Sequence, residues 1–172
     1  MKSIRRRCFE TNSSSVHSLI WENEDPEDVI DWETQLEPQL IQMEKCNIPI
    51  SKTGKIRVKV RYFGKDFSID WDQETKLSYL MVLCMKSRYD AGRESFKEQV
   101  EEMEDFPPYT NVLRSLRHYI PNLKEIIPVY SVGWGMDHQA NNNYNEPKDF
   151  LQELSPAEFV LGSNVGLFTR CD

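Results

Sequence analysis

The sequence predicts an α+β domain in which a small antiparallel sheet is packed by several helices. Three observations carry that expectation. Residues 55–71 alternate apolar and polar side chains around a Gly64-Lys65 step, residues 77–85 repeat apolar side chains at helical spacing, and no Gly/Ser-rich linker divides the chain. A chain of 172 residues holds one substantial core, so a single domain over residues 1–172 is expected.

Taken in order, Val16 to Trp21 carries apolar residues at 16, 19, 20 and 21 and reads as a strand entered from a serine run. Glu22 to Glu37 holds eight acidic residues and no basic one, interrupted by Pro26 and containing Val29, Ile30, Trp32 and Leu36. That is the composition of an exposed acidic helix or loop with a few apolar anchors. Residues 55–71 read as a hairpin turning at Gly64-Lys65, pairing Tyr62 with Phe67, Val60 with Ile69 and Val58 with Trp71 on one face. Arg57, Lys59 and Arg61 then share the opposite face with Ser68 and Asp70, and Lys59 and Asp70 become cross-strand partners.

From Gln73 to about Lys86, the spacing of Leu77, Leu80, Met81, Cys84 and Met85 predicts an amphipathic helix. Glu94 to Glu104 reads as a charged surface helix ended by Pro107-Pro108. A further helix from about Thr110 to Tyr119 is expected to bury Val112, Leu113, Leu116 and Tyr119. Glu125 to Gly133 is too apolar for an exposed edge and reads as a buried strand. It is followed by a Gly133-Trp134-Gly135 step, a loop over 140–145, a short helix over Pro147 to Leu154 and a last strand over Val165 to Arg170.

Composition narrows the function classes. Apolar residues make up 39% and aromatics 11%, which is a globular composition, and no apolar run approaches the roughly 20 residues of a membrane span. The charged start Met1 to Arg7 is followed by Glu10, Asn12 and three serines instead of an apolar stretch, so no export signal is read and a cytoplasmic location is expected. Cysteines at 8, 46, 84 and 171 form no Cys-x-x-Cys pair, which suggests reduced thiols rather than a zinc ribbon or disulfide framework. The formal charge of −7 argues against non-specific nucleic-acid binding by the whole surface and leaves room for a local basic face.

Two segments concentrate polar chemistry. Glu10-Thr11-Asn12-Ser13-Ser14-Ser15-Val16-His17 places a carboxylate, an amide, four hydroxyls and an imidazole within eight residues. Such a segment can bind phosphate through hydroxyls and backbone amides, or set His17 beside a serine as general base. A Ser/Asn turn entering a strand accounts for the same residues. Asp137-His138-Gln139 follows a predicted strand and the Gly-Trp-Gly step, where a rigid end can present polar side chains and glycines allow close approach. The alternative there is an ordinary polar loop. If the two converge, Glu10, His17, Asp137 and His138 can hold a divalent metal or supply acid and base to a phosphodiester; the metal belongs to that enzymatic reading alone. Walker, HExxH, GxSxG and dinucleotide-binding fingerprints are absent. His118 reads as a surface or partly packed helix residue.

Charge offers a different class of function. Glu22, Glu24, Asp25, Glu27, Asp28, Asp31 and Glu33, helped by Glu94 to Asp105, can present carboxylates to a basic groove that ordinarily holds nucleic acid. A solvated face accounts for the same charge run. The basic face at Arg57, Lys59 and Arg61 reads as solvated or paired with neighbouring acids.

The segment Arg7-Cys8-Phe9-Glu10-Thr11-Asn12-Ser13-Ser14-Ser15-Val16-His17-Ser18 resembles the N-terminal Phe-Glu-Thr-Asn-Ser-Ser-Ser-x-His-Ser signature of small proteins encoded by bacteriophages and other bacterial mobile elements. Asp137-His138-Gln139 looks like that family's second polar motif. The resemblance covers under a fifth of the chain, and it implies a setting in a bacterial host cell without implying a reaction. Two readings follow. One is an accessory protein that binds and inhibits a host protein, with a nucleic-acid-guided defence nuclease as the target that suits an acidic surface, an anti-CRISPR-like role. The other is a small hydrolase or nucleotide-modifying enzyme using Glu10, His17, Asp137, His138 and Gln139 around Ser13, Ser14 and Ser15.

Overall fold

The computed structural model describes residues 15–26, 39–64, 67–85, 92–136 and 146–171. In chain order they form β1 (Ser15–Trp21), β2 (Lys55–Lys59), β3 (Tyr62–Phe63), β4 (Ser68–Asp70), α1 (Gln73–Cys84), α2 (Gly92–Glu104), α3 (Pro107–Tyr119), β5 (Glu125–Val129), β6 (Gly135–Met136), α4 (Pro147–Leu151), α5 (Pro156–Leu161) and β7 (Val165–Cys171). Helices and a small antiparallel sheet share one core, so the expected α+β class holds.

Helix α1 is the centre of that core. Asp72 caps it, its Oδ1 accepting from the Thr75 amide at 2.8 Å. The expected stripe of Leu77, Leu80, Met81, Cys84 and Met85 is buried, each large apolar side chain contributing about 1.5–3 kcal/mol of transfer free energy. The other side does not face water as an amphipathic surface helix would. Gln73, Thr75, Lys76, Ser78 and Tyr79 are buried too, because strands and loops close over that side and satisfy much of its polarity.

The antiparallel sheet runs in the order β1-β7-β4, with β7 in the middle. Strands β1 and β7 pair from Ser15↔Cys171 to Trp21↔Val165, in agreement with the two strands expected at the ends of the chain. Ile20, Phe168 and the half-buried Ile69 form a small apolar cluster on this sheet.

The expected hairpin over 55–71 is replaced by three different pairings. Strand β2 runs parallel to β5, β3 runs parallel to β6, and β4 runs antiparallel to β7. Lys59 therefore lies opposite Val129 and Asp70 opposite Leu167, and neither faces the other. Alternation in β2 was legible, since Ile56, Val58 and Val60 are buried and Lys55, Arg57 and Lys59 exposed. It records which face is apolar and is silent about which strand fills each edge. The parallel partner becomes available because α1, α2 and α3 carry the chain back between β2 and β5. Tyr62, Phe67 and Trp71, expected inside with Val58 and Val60, are 41%, 56% and 37% exposed.

Helix α2 buries Phe96, Gln99 and Met103 and turns its carboxylates outward, as a charged surface helix should. Pro107-Pro108 closes it and also opens α3, where first-turn amides lack helical acceptors and proline loses nothing. Val112, Leu113 and Leu116 are buried as expected, whereas Tyr119 is 48% exposed. The Tyr109 hydroxyl holds α3 against β5, donating to the Ile126 carbonyl and accepting from the Ile126 amide, each at 3.1 Å. The strand expected to run to Gly133 stops at Val129. Helix α5 was not expected, although Ser155 and Glu158 form the reciprocal cap that announces it. No described helix is long and apolar enough to cross a membrane.

Candidate functional site

Of the candidate residues in the two polar motifs, His17 is the one whose side chain is described. Glu10, Ser13, Ser14, Asp137, His138 and Gln139 lie outside the described residues, and Ser15 contributes its backbone to the start of β1. The expected convergence of the two motifs falls on those residues. His17 is 2% exposed, its side chain directed inward from β1. Its Nδ1 lies 3.1 Å from the Tyr79 hydroxyl, and the two rings are inclined at 54° with centroids 5.7 Å apart.

Tyr79 packs against two further aromatic rings, from β3 and α4. Phe63, on the strand that pairs with β6, meets the Tyr79 ring edge-on at 5.0 Å between centroids. Phe150 of α4 meets the same ring at 4.7 Å. The Gly133-Trp134-Gly135 step is not open to a ligand at its middle residue, because Trp134 is 1% exposed and packs on Phe96 with centroids 5.2 Å apart.

Tyr79 belongs to a polar seam that sequence reading missed. Gln73, Lys76 and Tyr79 lie three residues apart on α1, near enough to helical repeat to share one side. Gln73 accepts from the Asn47 amide at 2.8 Å and donates to the Lys45 carbonyl at 3.0 Å. Lys76 is fully buried, its Nζ donating to the carbonyls of Gly162 at 2.7 Å and Val165 at 3.0 Å while lying 5.7 Å from the centre of the Phe159 ring. Burial pulls the Lys76 ammonium down to about 8 from its ordinary value near 10.5, against smaller opposing contributions from Asp72 and Glu44. The seam thus ties α1 to the 45–47 segment, to the turn after α5 and to β1. The signal for it was a lysine directly preceding the run Leu77-Ser78-Tyr79-Leu80-Met81, too apolar a neighbourhood for a solvated cation.

Among the described residues no three His, Cys, Asp or Glu side chains come together as a metal site. Cys46 and Cys84 are free thiols, both pushed upward by burial, Cys84 the further, which leaves them protonated and poorly nucleophilic.

Surface charge is segregated. Helix α2 and the residue after it expose Glu94, Glu98, Glu101, Glu102, Glu104 and Asp105 along one ridge, with Lys97 among them. Of the acidic residues nominated at the N-terminal end, Glu22 and Asp25 are exposed, and Glu24 accepts from the Trp21 amide at 3.2 Å. Glu27, Asp28, Asp31 and Glu33 lie outside the described residues. No protein-family model, curated protein or solved structure matches this chain.

Proposed function

We propose that the protein acts by binding, as a phage-type accessory protein that inhibits a host factor through acidic surface. The observation that carries this reading is the carboxylate ridge of α2: six acidic side chains exposed in twelve residues, on a helix whose inner side is fixed to the core by Phe96 and Met103. Rigidly held charge of one sign steers a basic partner and loses little entropy on docking. A nucleic-acid-guided defence nuclease is the target class with a matching basic channel. The test is capture of a nucleic-acid-binding host protein by the immobilised protein, competed by added nucleic acid. Glu98→Lys/Glu101→Lys/Glu104→Lys is expected to lose at least tenfold in affinity for that partner; unchanged capture by the reversed ridge refutes the reading.

A second reading, a phosphodiesterase-like or nucleotide-modifying enzyme using Glu10, His17, Asp137 and His138, is supported by the Tyr79 neighbourhood, which includes His17, Phe150 of α4 just after residues 137–145, and Phe63 of β3, the strand that pairs with β6 just before them. The burial of His17 weighs against it, since a general base must reach its substrate. His17→Ala separates the two: it removes an enzymatic effect, whereas a binding function survives it in protein that remains folded.

A further inference from the structure

From Lys45 to Arg61 the chain holds six cations and no carboxylate, within a protein of net charge −7. The fold sets four of these cations along β2 and its end and two at a groove beside it. Lys55, Arg57, Lys59 and Arg61 are exposed at every second position along β2 and just beyond it, which spaces successive cations by about 6.6 Å, comparable to the phosphate repeat of an extended nucleic-acid strand. Beside them the outward residues of β5 are Glu125, Ile127 and Val129, all half-buried, and Lys55 pairs with Glu125 at 2.7 Å. Parallel strands are ordinarily covered on both faces. This pair is covered on the inner one, where Ile56, Val58 and Ile126 enter the core.

Just beyond the N-terminal end of the pair, where Gly54 and Lys124 precede β2 and β5, lies a groove of about 760 Å³. Lys45, Lys52 and Lys124 line it together with Ser51, Asn122 and the half-exposed Tyr119 ring; among the described residues Glu44 is the one carboxylate on its wall. That volume lies within the range of pockets that hold small organic ligands, and lysines around an accessible aromatic ring are the pairing that holds a phosphate chain while a base stacks.

We infer that this strand and groove form a binding surface for single-stranded nucleic acid, with Arg57, Lys59 and Arg61 following the phosphates and Tyr119 stacking a base in the groove. The net negative charge opposes binding by the surface as a whole and leaves this face attractive, because in physiological salt a phosphate chain responds to charges within about 8 Å. An acidic protein segment is the competing occupant. The regular cation spacing and the groove at its end favour the nucleic acid, since a peptide carboxylate needs no stacking ring.

The test is fluorescence anisotropy with labelled oligo(dT) and oligo(U) of about 12 nucleotides, a length within the span such surfaces cover. With about four phosphates neutralised, affinity is expected to fall roughly 50-fold between about 50 and 200 mM salt. Arg57→Glu/Lys59→Glu/Arg61→Glu, all at exposed positions, is expected to weaken binding at least tenfold and to flatten the salt dependence. Tyr119→Ala is expected to cost about tenfold with the salt slope unchanged, the signature of lost stacking. Glu98→Lys/Glu101→Lys/Glu104→Lys is expected to bind the oligonucleotide at least as tightly as wild type, which keeps this test independent of the acidic ridge. The inference is overturned if wild type fails to bind either oligonucleotide at low salt, if the triple reversal binds as tightly as wild type, or if polyglutamate competes as well as oligonucleotide does.

Discussion

Raising the pH from neutrality should stabilise this protein through one buried group. Lys76 has a folded-state value near 8 against about 10.5 when solvated, so between those values the unfolded chain binds the extra proton and the folded chain does not. Stability therefore rises with pH across that window, and below it the cost of burying the ammonium is present in full. For these two values the gain from about pH 7 to pH 10 is on the order of 2–3 kcal/mol. The thiols of Cys46 and Cys84 and the phenol of Tyr109 act in the opposite sense: burial raises all three, so the unfolded chain ionises first and stability falls as pH climbs. The lysine is isolated by comparison with Lys76→Met, which keeps the apolar stem and does not titrate. Urea unfolding followed by the fluorescence of the buried Trp21 and Trp134 measures both proteins across the range. The expected result is a stability difference, wild type minus variant, that grows by about 2–3 kcal/mol with pH. Parallel curves would refute the argument, because they would mean that burial leaves the Lys76 proton equilibrium unchanged.

Two further outcomes rest on packing. Tyr109→Phe removes the hydroxyl that serves both the amide and the carbonyl of Ile126 and should cost about 1–3 kcal/mol in urea unfolding, with no change in m-value. Alanine at two glycines should rank by what the new methyl meets. At Gly162 a Cβ stands 2.4 Å from the Glu158 carbonyl oxygen, which is backbone, whereas at Gly166 it stands 2.8 Å from the half-exposed Trp71 ring, which can swing outward. Gly162→Ala is thus expected to lower the unfolding free energy more than Gly166→Ala, the latter by about 1–3 kcal/mol; the reverse order would contradict these contacts.

The sequence made local elements readable where one physical signal dominates. The two strands at 16–21 and 165–170, the helix from Gln73 and the helix around Val112 to Leu116 each show periodicity backed by a real buried face. It misled where the question was partnership. Lys59 and Asp70 suit a hairpin by charge and position, yet parallel pairing with β5 is set by helices that intervene in the chain, and no local pattern encodes that choice. The amphipathic reading of α1 failed for a related reason: Gln73, Lys76 and Tyr79 look solvent-facing in a helical wheel, while their partners at Lys45, Gly162 and His17 are distant in sequence. At the candidate site, the polar motif identified His17 but not its burial, which follows from β1 lying against β7 and beside Tyr79. Tyr119 was assigned to the core because its helical spacing fits; being near the end of α3, it lines the groove instead.

The seven-residue ladder between β1 and β7 has a consequence for how the protein forms in a cell. Residues 22–164 lie between these strands in sequence, so the antiparallel sheet cannot close until β7 has left the ribosome. Until then Leu19, Ile20 and Trp21, each at most 4% exposed in the finished fold, belong to a strand whose partner has not been made. Contacts so distant in sequence also slow folding, because the loop entropy is lost before any pairing compensates it. The nascent protein is therefore most vulnerable to aggregation at its first strand, and chaperone occupancy during synthesis should concentrate there until β7 emerges to cover it.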